Sequence, residues 1–189
     1  SNSLTANPLV QYLNKPSSEF TKEDIIRYIE DNLIQMVNFR YVGGDGRLKE
    51  LNFVIRDKEH LDNILSTGER VDGSSIFKHI EAGSSDLYVV PRFSSAFLNP
   101  FSEIPAIDIL CSYFNKDGDP LASAPEHVLH KAHNVLKEKT GLNFEVMGEL
   151  EYYVISEKED FFLAEDQKGY HEAEPFSKFG DFRKEALLA

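Results

Sequence analysis

Cysteine is almost missing from this chain: Cys111 stands alone among 189 residues. No internal disulfide can form, and a reducing cytoplasm is the compartment that such usage fits. Positive charge is also scarce, with 20 Lys and Arg against 32 Asp and Glu, a net charge of −12 and a pI near 4.9. That balance argues against nucleic acid or an anionic membrane as partner, because both repel an acidic surface. No apolar run approaches the about 20 residues that cross a bilayer as a helix. Ser1–Tyr12 lacks the basic, apolar and small-residue zones of a secretory signal. Internal repeats and low-complexity tracts are absent as well. What is present is an ordinary globular mixture, 41% hydrophobic and 28% charged. The length suits one domain or two small ones, each with a real core.

Local patterns give the elements. Residues 1–20, punctuated by Pro8, Pro16 and Ser17-Ser18, read as a flexible lead-in. Thr21 and Asp24 form a helix-start signal, and Ile25, Ile26, Ile29 and Leu33 recur at helical spacing. Val37, Phe39 and Tyr41 alternate with Asn38 and Arg40. Gly43–Gly46 supplies a turn, and Leu51, Phe53 and Ile55 alternate on the way back, which predicts a hairpin. Asp57–Leu65 reads as a short helix and Thr67–Ser75 as a loop. Leu87–Val90 and Ile107–Phe114 read as buried strands. Ser123, Pro125 and Glu126 open a helix that Gly141 closes. Phe144–Ile155 reads as a long strand, Ser156 onward as an acidic loop, and a last helix begins near Asp181. The order predicts an α+β architecture: residues 1–20 as lead-in, 21–120 as a small first domain, and 121–189 as the start of a second. One strand and two helices cannot close a second core, so the chain reads as truncated.

Two segments carry candidate chemistry. On a strand, Glu149 and Glu151 share one face, two like charges that a divalent cation would reconcile. Oxygen-only ligands suit Mg2+ or Mn2+. A solvent-facing acidic strand produces the same spacing. The second segment is Val71-Asp72-Gly73-Ser74-Ser75-Ile76, whose serines can hydrogen-bond the aspartate and fix its direction for work as a general base. An Asx-turn leading into a helix reads equally from these residues. Three further features point to structure. His127, His130 and His133 fit a solvated helix face, Cys111 a core position, and the acidic stretch Glu157–Asp166 lacks the spacing of a calcium loop.

Taken in order, these segments resemble glutamine synthetase. The family's Phe-Asp-Gly-Ser-Ser-Ile followed by Ser-Asp and a strand ending in Pro is matched by Val71–Ile76, Ser85-Asp86 and Leu87–Pro91. Its Asp-Pro-Phe, then a strand with Cys-Asp, is matched by Asn99-Pro100-Phe101 and Ile107–Ser112. Its metal strand, Gly-Pro-Glu-x-Glu-Phe-Phe, is similar to Met147–Tyr153. Its Gly-Gly-Tyr-Phe-Pro with a later Asp-x-Arg is similar to Lys168–His171 and Asp181–Arg183. The chain departs from the pattern at Val71, Arg92, Ser112, Ala124–Glu126, Met147 and Leu150.

The resemblance implies a β-grasp-like N-terminal domain followed by an incomplete part of the catalytic α/β domain. It implies an ATP-dependent ligase that joins ammonia to glutamate through a γ-glutamyl phosphate, with Mg2+ or Mn2+. Glu149 and Glu151 are then metal ligands. Asp72 binds and helps deprotonate ammonium, Ser75 steadies Asp72, and Tyr170 lines the ammonium pocket. Most ATP-binding residues fall beyond residue 189, so the chain alone is expected to be inactive. The partners implied are glutamate, ammonium, ATP and further copies of the chain in a homo-oligomer with shared active sites. Two alternatives stand beside this one: a γ-glutamyl ligase using another amine such as a polyamine, and a non-catalytic relative kept for assembly or regulation.

Overall fold

Alternation of apolar and polar side chains along residues 37–41 sets the first layer. The computed structural model describes residues 5–82, 85–157 and 171–188. Strand β1, Met36–Val42, sends Val37, Phe39 and Tyr41 into the core. It turns at Gly43–Gly46 and pairs antiparallel with β2, Leu48–Val54, as the hairpin pattern predicts. Strand β6, Ala106–Asn115, is the long central member. Its first half runs parallel to β1, with Asn38 opposite Asp108. Its second half pairs antiparallel with β4, Asp86–Pro91, which in turn pairs with β3, Glu69–Asp72. A two-residue strand, β5, Phe97–Leu98, continues the β4 side of β6. The sheet order is β2-β1-β6-β4-β3.

Helices cover the apolar face. Helix α2, Lys22–Asp31, starts at a complete capping box. The Asp24 amide donates to Thr21 Oγ1, and the Thr21 amide donates to Asp24 Oδ2 at 2.8 Å. Burial of Asp24 opposes its ionisation, but the Lys15 ammonium and the Thr21 amide and hydroxyl outweigh it and hold the carboxyl below its usual range. Ile25, Ile26 and Ile29 of α2 meet Leu61, Ile64 and Leu65 of α3, Lys58–Thr67, in one core with Val37, Phe39, Ile107 and Ile109. Thr21→Ala removes one half of the box and should cost about 1 kcal/mol. Chemical denaturation would show that as a lower midpoint with an unchanged slope.

Four segments differ from the sequence reading, three of them before residue 145. The lead-in contains helix α1, Pro8–Leu13, capped by Asn7 and with Pro8 at its first turn. Leu9 is fully buried, so this stretch belongs to the core rather than trailing from it. The loop expected over Thr67–Ser75 contains β3 and a single-turn helix, α4, Gly73–Ile76. Val71 lies opposite Leu87 there, which turns the segment into a sheet edge. Helix α5, Pro125–Thr140, does end at Gly141, whose left-handed backbone suits glycine. One of its three histidines departs from the solvated face: His127 is half-buried, with Nε2 2.9 Å from the Tyr113 carbonyl.

Residues Ser1–Phe144 form one compact unit and Glu145–Ala189 a second. In the second, helix α6, Gly180–Leu188, begins where the sequence places it. Lys184 pairs with Glu174 and Asp181 at 2.9 and 3.1 Å. The strand expected over Phe144–Ile155 does not form, and Met147, Leu150 and Tyr153 stand exposed. A strand exists through its ladder, and among the described residues nothing pairs with this segment.

Candidate functional site around the Asp72 turn

Asp72 ends β3 and caps α4, so its carboxylate sits where an edge strand turns into a helix. Both oxygens are held. The Ser74 amide and hydroxyl donate to Oδ1 at 3.0 and 2.7 Å, and the Ser75 hydroxyl donates to Oδ2 at 2.7 Å. The serines thus orient the aspartate as their spacing suggests, in the form of an Asx-type turn. Hydroxyl donation from Ser75, then Ser74, with Ser85 next, holds the Asp72 carboxyl far below the usual carboxylate range. Chemically this favours one task over another. A carboxylate that stays ionised at every physiological pH attracts a cation well and accepts a proton poorly.

The turn is fastened at both ends. The Gly73 amide donates to the Ser85 carbonyl at 2.7 Å, and the Phe77 amide closes the turn on the Gly73 carbonyl at 2.8 Å. Beyond it, Phe77 is buried edge-on against Tyr113, with ring centroids 5.0 Å apart. Asp86 stands opposite Asp72 across the β3–β4 ladder and faces Arg70 at 3.5 Å.

Glu149 and Glu151 are exposed in the second unit, on a segment with no ladder. Tyr170 lies outside the described residues. Among the described residues no three His, Cys, Asp or Glu side chains come together to hold a metal ion. Two carboxylates supply only part of the octahedral oxygen shell of Mg2+. No helix in the described residues is long and apolar enough to cross a membrane.

One polar constellation was not anticipated. On the sheet face opposite Val37 and Phe39, fully buried Asp108 accepts from Asn38 Nδ2 at 2.7 Å and from Arg40 Nε. Asn99 Nδ2 reaches both of its oxygens, at 3.3 and 3.2 Å. Asn52 donates to Asn38 at 2.7 Å, and Arg40 also pairs with Glu50 at 2.9 Å. The signal was an aspartate inside an apolar strand run, which must find donors if the run is buried.

A mixed sheet with helices on one face and an acidic turn at its edge defines an α+β domain of the β-grasp kind. The family model described as "Glutamine synthetase, beta-Grasp domain" matches residues 33–116. The glutamine synthetase of Methanococcus voltae is 26% identical over 174 residues, which cover 88% of this chain and 39% of the relative. A 3-hydroxylaminophenol mutase of Cupriavidus pinatubonensis is 31% identical over 122 residues, covering 63% of this chain and 25% of that protein. A glutamine synthetase structure from Plasmodium falciparum matches 66% of this chain and 24% of its own, with 20% identity and a TM-score of 0.56. Residues 33–116 therefore belong to the glutamine synthetase β-grasp family, and the chain spans about two-fifths of the Methanococcus relative's length.

Proposed function

We propose that this chain supplies the ammonium-binding part of a glutamate–ammonia ligase that forms glutamine from glutamate, ammonia and ATP. The observation that carries this reading is the Asp72 turn, a carboxylate ionised and aimed by two serines at the edge of a domain of the glutamine synthetase family. Asp72 draws ammonium from water as its counterion, and Ser75 keeps the carboxylate pointed at it. Because so stabilised a carboxylate is a weak base, its main contribution is to binding, and deprotonation of ammonium waits for the electrophile to arrive. Tyr170 would line the same pocket. The turn projects from an edge strand, which suits completion of a site on a neighbouring copy in a homo-oligomer.

Glu149 and Glu151 remain in the proposal as ligands for Mg2+ or Mn2+ that require a paired strand before they can face together. The described residues provide no further ligands, so no step is routed through a cation. For the same reason the 189-residue chain by itself is inactive in this reading.

The test is glutamine formation from glutamate, ammonium, ATP and Mg2+, followed by amino-acid analysis, with the complete gene product beside the 189-residue chain. Glutamine from the complete product and none from the chain is the expected result. Glutamine made by the chain alone would overturn the inactivity. A polyamine preferred to ammonium, or isomerisation of 3-hydroxylaminophenol without glutamine synthesis, would replace the ammonia reading.

A further inference from the structure

Asp72 is aimed by its own serines, but those serines are aimed by something else. The end of α4 that lies away from Asp72 meets the tip of the β1–β2 hairpin. There the Gly44 amide donates to the Ile76 carbonyl at 3.1 Å. A Cβ built on Gly44 would lie 2.9 Å from that carbonyl oxygen and 3.0 Å from Phe77 Cδ1. Gly44 is therefore needed for space, since backbone and ring close on it from two sides. Behind this contact the Tyr113 ring packs against Phe77, and the Tyr113 hydroxyl donates to the Val42 carbonyl at 2.9 Å. Val42 is the last residue of β1 before the turn.

These contacts form a closed circuit. It runs from the hairpin tip through Gly44 to Ile76 and Phe77, then through Tyr113 back to Val42. The Asp72 turn hangs between this circuit at one end and the Gly73–Ser85 hydrogen bond at the other. We propose that Gly44 is a positioning residue for Asp72: the hairpin tip clamps the far end of the Asp72 turn, and only a residue without a side chain lets the clamp close. The relevance of the clamp to ammonium rests on the reading of Asp72 given above. The clamp itself does not.

The consequence can be measured without any turnover. In the 189-residue chain, 13C NMR follows the Asp72 carboxyl during an acid titration, with Asp72→Asn identifying its signal. The neighbouring charges to keep in view are Arg70 and Asp86. Gly44→Ala should raise the Asp72 midpoint by about one pH unit, toward the ordinary value of about 3.9, as the serines lose their aim. Amide exchange at Gly73 and Ser74 should quicken about tenfold or more in the same variant. Gly46→Asn is the control, because Gly46 has φ +76 with nothing within 4 Å of a Cβ, and asparagine tolerates that backbone. It should leave both readings unchanged.

Phe77→Leu loosens the same clamp from the other side and serves if Gly44→Ala prevents folding. An unmoved Asp72 midpoint in a folded clamp variant, or an equal shift in Gly46→Asn, overturns the proposal. A further measurement separates the two readings: the ammonium KM of the complete gene product. A shifted midpoint with an unchanged ammonium KM supports the clamp and removes Asp72 from the ammonium site.

Discussion

Asp72→Asn is expected to raise the ammonium KM of the complete gene product about a hundredfold while kcat changes by less than about tenfold. Asparagine keeps the shape and can still accept from one serine, so the variant removes the charge rather than the turn. The split between the two constants decides what Asp72 does. Steady-state rates over a wide ammonium range, at saturating glutamate and ATP, give both. A fall in kcat of about a hundredfold or more at saturating ammonium would instead identify Asp72 as the base in the chemical step. The hydrogen bonds from Ser74 and Ser75 favour the first outcome, because they stabilise the anion that a base must surrender. An unchanged KM and kcat together would take Asp72 out of the site.

The second large effect lies in the buried polar cluster around Asp108. Asp108→Ala leaves Asn38, Asn99 and the Arg40 guanidinium facing a space that water reaches poorly. Removing one partner of a buried pair typically costs 3–5 kcal/mol, and about 3 kcal/mol is expected here because Arg40 retains Glu50. In a chain of this size that lowers the melting temperature by about 10 °C. Asp108→Asn should cost less, since the amide oxygen still accepts from Asn38. Calorimetry on the two variants separates the charge from the hydrogen bonds. Equal melting temperatures for wild type and Asp108→Ala would show that the cluster adds nothing to stability.

How much of this was legible in the sequence depended on how local each signal is. The capping box at Thr21–Asp24, the hairpin around Gly43–Gly46 and the Gly141 stop are written within a few residues, and the structure has all three. The serines of the Asp72 turn were readable for the same reason, because hydroxyls at i+2 and i+3 lie within a few residues of the aspartate they bond. Non-local signals were misread. Phe144–Ile155 has the alternation of a strand, but alternation supplies no partner, and Glu149 and Glu151 therefore face water. Residues 1–20 look loose by composition, yet Leu9 finds the core through contacts that composition does not encode. Asp108 was passed over as one polar residue in an apolar run. Its donors lie 9, 68 and 70 positions away, so only the folded sheet brings them together.

That buried carboxylate has a bearing on the distant turn. Gly44 and Ile76 reach their meeting point by separate routes that diverge at β6: one through β1 to the hairpin tip, the other through β4 and β3 to Asp72. A slip of β1 along β6 by a single residue would displace one route by about 3.3 Å and turn Asp108 away from Asn38. A hydrogen bond of 3.1 Å does not survive such an offset. Asp108 accordingly works like the pin of a vernier, admitting one alignment of two strands and thereby setting the height at which a carboxylate on the far edge is presented.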